Sequence, residues 1–186
     1  MTLTIAPLEP LQAVTSRLHA AGIGYALGGS GLLYALGLTD KVRDWDLTTS
    51  APVQAVQAAL LDLPVQTIVS GDYPFASDYK LLVHETDPQV ELIGGFAIHS
   101  PAGLCRIPPL LGGAVWNGIT LGSPEVWYVA YALMGRRPRA ELLLHYMQGG
   151  PVPHGRPETL NRLLQEPLPA DIRRELLTLP RVPSPH

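Results

Sequence analysis

The run Asp44-Trp45-Asp46-Leu47 constrains this chain more than any other stretch. Alternate side chains of an extended strand share a face, so an Asp-x-Asp strand points two carboxylates the same way, with Cα atoms about 7 Å apart. Like charges at that spacing repel, and a surface strand has no need of the arrangement. A divalent cation between them relieves the repulsion and uses it. Upstream, the apolar run Ile23–Leu27 leads directly into the small-residue turn Gly28-Gly29-Ser30, and a helix-like segment at about Ser30–Leu36 follows. Glycines there allow close backbone approach to a ligand and positive φ. Ser30 can cap the helix with its hydroxyl, and amides at such a helix start are a natural seat for phosphate.

The flanking patterns build a layer around this pair. Leu11, Val14, Leu18 and Ala21 recur at helical spacing within residues 8–21, and Gly22 ends that helix. Strands are predicted at Ile23–Leu27, Asp44–Thr48, Val65–Val69, Tyr79–His84 and Gln89–Ile93, the last two as a hairpin about Glu85–Pro88. Val53, Val56, Leu60 and Leu61 behind Pro52 predict a short amphipathic helix over 52–61. The expected fold is therefore α/β (α+β), a mixed sheet with helices 8–21 and 52–61 packed on one side, followed by a small helical C-terminal region. The polar and aromatic loop Ser70–Ser77 is long enough to lie over a pocket, and Phe96–His99 is either a bend or a further short strand.

Domain boundaries follow the composition: a sheet-bearing domain over 1–100, a Pro/Gly-rich connector with a candidate edge strand (Trp116–Leu121) over 101–122, helices over 123–180, and a disordered tail over 181–186. Ser123-Pro124-Glu125 is a clean helix start, with Ser123 as N-cap and proline at the first helical position. That helix runs to Gly135, and a second follows from Ala140 to Met147. Gln148–Pro157 reads as a Gly/Pro linker before two short helices near Glu158–Gln165 and Ala170–Leu179.

Charge is divided unevenly. Residues 1–124 carry five Lys or Arg against ten Asp or Glu, and residues 125–186 carry eight Arg against six acids. Such a balance lacks the dense basic patch that duplex nucleic acid requires. It allows acids for metal on one lobe and arginines for phosphate or an anionic acceptor on the other, with Arg136, Arg137 and Arg139 the one dense cluster; an ordinary solvated helical surface is the alternative for those arginines. No run of eighteen apolar residues and no cleavable leader is present, so the expectation is a cytoplasmic protein with no membrane partner. The single cysteine, Cys105 in GLCRI, reads as a buried small hydrophobe. The histidines are scattered without ligand spacing, and Ser30, Ser77 and Ser100 lack a nucleophile elbow. GxGxxG is absent in usable form, since Gly22-Ile23-Gly24 precedes its strand.

Glu91 stands among Val90, Leu92 and Ile93, where a carboxylate costs free energy unless it faces solvent, is paired or is bound. Taken with Asp44 and Asp46 it completes a trio of carboxylates suited to one or two Mg²⁺ ions. Leu27-Gly28-Gly29-Ser30, thirteen residues, Asp44-Trp45-Asp46-Leu47 and then Val90-Glu91-Leu92 resemble the motif of the nucleotidyltransferase superfamily, the group typified by the DNA polymerase beta fold and the small antibiotic-modifying enzymes. The likeness covers roughly residues 8–100.

That resemblance implies a reaction. Asp44 and Asp46 would bind Mg²⁺ or Mn²⁺, and Gly28, Gly29 and Ser30 would hold the β- and γ-phosphates of a nucleoside triphosphate. Glu91 would be a further metal ligand and help to deprotonate an acceptor hydroxyl. Lys80 and Arg43 are candidate phosphate contacts; the face of Lys80 depends on strand register, and Arg43 alternates away from Asp44, either packing below the site or swinging into it. The acceptor, whether small molecule, protein or RNA, is open. The glycines after Glu91, the proline-rich connector and the C-terminal helices depart from the better-described members. A non-catalytic nucleotide-binding or partner-binding protein on the same fold is the alternative.

Overall fold

A computed structural model describes residues 5–84, 88–109, 113–149 and 156–181. The predicted turn at 85–87, the linker core at 150–155 and the tail at 182–186 lie outside the described residues. In chain order the elements are α1 (Glu9–Ala20), β1 (Ala26–Leu27), α2 (Gly29–Ala35), β2 (Trp45–Thr49), α3 (Val53–Ala59), β3 (Gln66–Ile68), β4 (Tyr79–His84) and β5 (Val90–Gly94). Then come β6 (Ala97–Ser100), β7 (Gly103–Arg106), β8 (Val115–Trp116), β9 (Ile119–Thr120), α4 (Pro124–Leu133), α5 (Arg137–Gly149), α6 (Pro157–Leu164) and α7 (Ala170–Leu177).

The chain forms two compact units, the first made of residues 1–71, 77–96 and 108–122. Its centre is a five-stranded sheet in the order β1-β2-β5-β4-β3, with β2 and β5 parallel and every other pair antiparallel. This is the expected mixed sheet. Alternation sorts its faces: Trp45, Leu47, Leu81, Val90 and Leu92 are buried on one, while Asp46, Lys80, Leu82, Glu91 and Ile93 are only half-buried on the other. Helices cover the apolar face. Trp45 donates its ring N–H to the Pro7 carbonyl at 3.0 Å, just before α1, and Gly31 of α2 packs against the Trp45 ring.

Strand β1 is shorter than the predicted Ile23–Leu27. The amide of Ile23 closes α1 by bonding to Leu18 O (2.9 Å), beside Gly22 N to His19 O (3.0 Å), a Schellman-type ending. Thr49 then donates its hydroxyl to Gly24 O at 2.6 Å in place of a ladder bond. Only Ala26 and Leu27 remain to pair with Thr48 and Leu47. The outer side of β1 meets Leu121 through an isolated bridge, with Gly122 N bonded to Leu27 O at 2.8 Å. At the opposite edge β3 is reduced to three residues, a common way to blunt an unpaired edge.

The second unit comprises residues 72–76, 97–107 and 123–186. Residues 74–76 of the polar and aromatic loop run along β6: Phe75 bridges Ile98, Ala76 N bonds to Ala97 O at 3.0 Å, and His99 N bonds to Pro74 O at 2.7 Å. Phe96–His99 resolves as the start of a hairpin arm, since β6 pairs with β7. Within the stretch read as a connector lie β7 and the small β8–β9 hairpin, the latter at the candidate edge strand. Cys105 is fully buried, as expected, and burial pushes its thiol up. Helix α4 starts where Ser123-Pro124 predicts, with the Ser123 hydroxyl accepting from Val126 N. Val126 through Tyr131 are all buried, the pattern of a helix enclosed on every side.

Two arginines of the cluster at the α4–α5 turn, Arg137 and Arg139, are already engaged. Arg137 grips Glu175 through two bonds of 2.9 Å each and approaches Asp171 at 3.6 Å, while the buried Tyr128 hydroxyl also donates to Glu175. Arg139 lies over the Tyr131 ring at 5.7 Å. Arg137 holds the Glu175 carboxyl below the usual carboxylate range. Because the folded-state pKa is lowered, the pair stabilises above the ordinary glutamate pKa and loses its contribution as pH falls through the folded value. Arg137→Ala is therefore expected to destabilise the protein by about 1 kcal/mol near neutral pH. Thermal melting should show the gap from wild type closing below about pH 4; a gap independent of pH would assign the loss to packing alone.

Candidate functional site

The predicted site residues all fall in the first unit, and the parallel pairing of β2 with β5 determines how they meet. Asp46 is the direct register partner of Glu91, so the two carboxylates project from neighbouring strands on the same half-open face. Lys80 stands opposite Ile93 on β4, and Glu91 stands opposite Leu82. Lys80 and Glu91 thus share a face on a diagonal, and the lysine Nζ reaches the glutamate Oε2 at 2.7 Å. The register settles the parity that the sequence leaves open.

Asp44 precedes β2 by one residue, and its carboxylate has other partners. Its Oδ1 accepts from Gln89 N at 3.2 Å, capping the entry to β5, and its Oδ2 accepts from Arg43 Nε at 3.3 Å. Arg43 pairs with its own sequence neighbour from an exposed position, so alternation alone does not set where its side chain turns. The structure brings together Asp46, Glu91 and Lys80. It does not gather the three carboxylates: among the described residues, no group of three or more His, Cys, Asp or Glu side chains is placed to hold one metal ion.

The glycine turn closes directly on Asp46. Gly28 donates its amide to Asp46 O at 2.9 Å, joining the turn to the strand. Gly29 opens α2 at φ +57, and a Cβ there would stand 2.1 Å from Asp46 Oδ2. Only a residue without a side chain lets the backbone lie against that carboxylate. Ser30 follows, half-buried in the first turn of α2.

Sequence reasoning missed what the Gly94-Gly95 pair does beyond ending the arm. A Cβ on Gly94 would fall 2.0 Å from the Tyr79 ring, so the glycine lets that ring lie flat across β5. Tyr79 then donates its hydroxyl to Ala51 O at 2.7 Å, past the end of β2. This strap ties β4, β5 and the β2 exit together behind the carboxylate face. Burial, with Asp78 alongside, pushes the Tyr79 phenol up to about 12. The signal was an aromatic residue opposite a mid-sheet glycine, legible only once register is known. A hollow of about 290 Å³ in the same unit, lined by Gln12, His19, Tyr25 and Asn117 among others, holds none of the predicted site residues.

The fold is the one that the motif predicted. The chain is similar to the "putative nucleotidyltransferase" TM1012 from Thermotoga maritima, with 19% identity, a TM-score of 0.56, and 75% of this chain and 91% of that one covered. It is also similar to the antibiotic-resistance factor ANT(2'')-Ia, in a solution structure (13% identity, TM-score 0.51, 75% and 83% covered). The crystal structure of ANT(2'')-Ia with adenylyl-2''-tobramycin gives 14% identity and a TM-score of 0.51, with 74% and 87% covered. No protein-family model and no curated protein matches the sequence. At these identities the likeness establishes a nucleotidyltransferase-like fold. No helix of the described residues is long and apolar enough to cross a membrane.

Proposed function

We propose that the protein is a metal-dependent nucleotidyltransferase, moving a nucleoside monophosphate from a nucleoside triphosphate to a hydroxyl acceptor. The observation that carries this reading is the register pairing of Asp46 with Glu91 on the half-open sheet face, with Gly29 closed against the Asp46 carboxylate. In the reaction the acceptor oxygen attacks the α-phosphorus, the bond from that phosphorus to the bridging oxygen breaks, and pyrophosphate leaves.

The donor chemistry fits a hard cation, since Asp44, Asp46 and Glu91 offer carboxylate oxygen only. Mg²⁺ characteristically takes one or two carboxylates and fills the rest of its octahedron with water and phosphate oxygens, so a three-carboxylate cage is not what such a site needs. Asp44 and Asp46 would hold one ion, Mg²⁺ or Mn²⁺, and Glu91 would be a ligand to a second, so no single ion needs all three carboxylates. When bound, the metal would neutralise charge developing on the transferred phosphoryl group. Gly28, Gly29 and Ser30 would orient the β- and γ-phosphates, and Arg43 and Lys80 are the nearby cations. Glu91 would take the acceptor's proton.

The acceptor remains open between a small alcohol, a protein and an RNA end; the neighbour solved with adenylyl-2''-tobramycin makes an aminoglycoside hydroxyl one acceptor worth including. The Lys80–Glu91 ion pair favours a second reading, a nucleotide-binding or partner-binding protein without turnover, because the glutamate already has a counter-ion. The test is a screen of four α-labelled nucleoside triphosphates with Mg²⁺ against cell extract and an aminoglycoside panel, scored for transferred label and pyrophosphate. Transfer from at least one triphosphate is expected, lost in Glu91→Gln with nucleotide binding retained. Binding without transfer, unchanged by Glu91→Gln, would favour the second reading.

A further inference from the structure

Lys80 is the only lysine or arginine in the five strands of the central sheet, and it projects from the face that carries Asp46 and Glu91. It already holds one anion of that face, the Glu91 carboxylate at 2.7 Å, and a polyphosphate drawn to the Gly28-Gly29-Ser30 turn would be a rival for it. A lysine is suited to serve both in turn. Its ammonium is a point charge on a flexible four-carbon stem with three donors, and its pairing does not depend on a fixed fork geometry as that of arginine does. Both partners are about one-quarter exposed or less (24% for Lys80, 21% for Glu91), so the pair is neither locked in the core nor fully screened by water.

We propose that Glu91 and the triphosphate compete for Lys80, so that nucleotide binding draws the lysine off the glutamate and frees that carboxylate for the acceptor's proton. The inference rests on the function proposed above and deepens it: the base is masked by the group that recognises the substrate. A triphosphate carries more charge than one carboxylate and presents several oxygens, so it wins the ammonium when it is seated. Without it, Glu91 stays paired and cannot serve water or a misplaced alcohol. Lys80 acts on the reaction through Glu91 and is a positioning residue in that respect.

The test is a double-mutant cycle read by binding. Affinity for inorganic tripolyphosphate is measured by calorimetry, with chelator and no divalent cation, on wild type, Glu91→Gln, Lys80→Met and the double variant. Releasing Lys80 in Glu91→Gln should tighten binding by roughly three- to fivefold, the upper range for a partly exposed ion pair. Lys80→Met should weaken it, and adding Glu91→Gln to Lys80→Met should restore nothing. Lys80→Gln serves in the same cycle should the methionine variant not fold. A gain from Glu91→Gln that persists without Lys80 would mean simple relief of negative charge and would overturn the competition. So would no gain at all, or no binding by any variant. The two proposals fail separately: coupling in this cycle with no label transfer in the screen defeats turnover alone, while transfer without coupling defeats the masking alone.

Discussion

Asp46→Asn is expected to abolish magnesium-dependent affinity for nucleoside triphosphate, lowering it by more than about a hundredfold, with the fold intact. Asp46 is the carboxylate that stands opposite Glu91 in register and lies under Gly29, the turn suited to phosphate. An amide keeps the size and one acceptor of the carboxylate but not its charge, and charge is what a hard cation requires. Like charges directly opposite on neighbouring strands destabilise the sheet, so removing one should leave the melting temperature unchanged or slightly raised. Calorimetry with and without Mg²⁺, paired with thermal melting, separates a lost site from a lost fold. Equal affinity in the two proteins would end the metal role.

The parts of this site that were legible in the sequence are those fixed by local spacing. Period-2 alternation put Asp46 and Glu91 on strands, and the small residues at 28–30 marked a turn; both follow from backbone geometry within a few residues. What was not legible depends on register and on distant partners. The face of Lys80 is set by the β4–β5 pairing, which shifts between Leu82 and His84, so no count along the chain could place it. Likewise Glu175, the partner of Arg137, lies 38 residues away, and a cluster of arginines read locally looks free when one is already held. Strand β1 lost its first residues because Ile23 had an equally good use for its amide, in closing α1. The aspartate at 44 shows the same competition at the site itself: an Asp-x-Asp spacing fixes where the Cα atoms go, while Gln89 N and Arg43 decide where the carboxylate turns.

Gly29→Ala is expected to damage the site as severely as the loss of Asp46, through strain and not through any chemistry of its own. At φ +57 an alanine is disfavoured by about 1 kcal/mol or more relative to glycine. The added methyl would also sit 2.1 Å from Asp46 Oδ2, 3.0 Å from its Cγ and 3.2 Å from its Cβ, so rotating the carboxylate away relieves only part of the clash. Either the α2 start recedes or Asp46 leaves the face it shares with Glu91, and both outcomes separate the phosphate turn from the acid. A loss of about 1–3 kcal/mol in stability is expected, together with loss of magnesium-dependent triphosphate binding. The cause can be isolated by repeating Gly29→Ala in an Asp46→Ala background, where the carboxylate is gone and only the backbone term remains. Coupled sites are non-additive, so the second destabilisation should be clearly smaller than the first. Equal destabilisation in both backgrounds would mean that the glycine serves the turn alone, and the close fit of Gly29 to Asp46 would then carry no weight in binding phosphate.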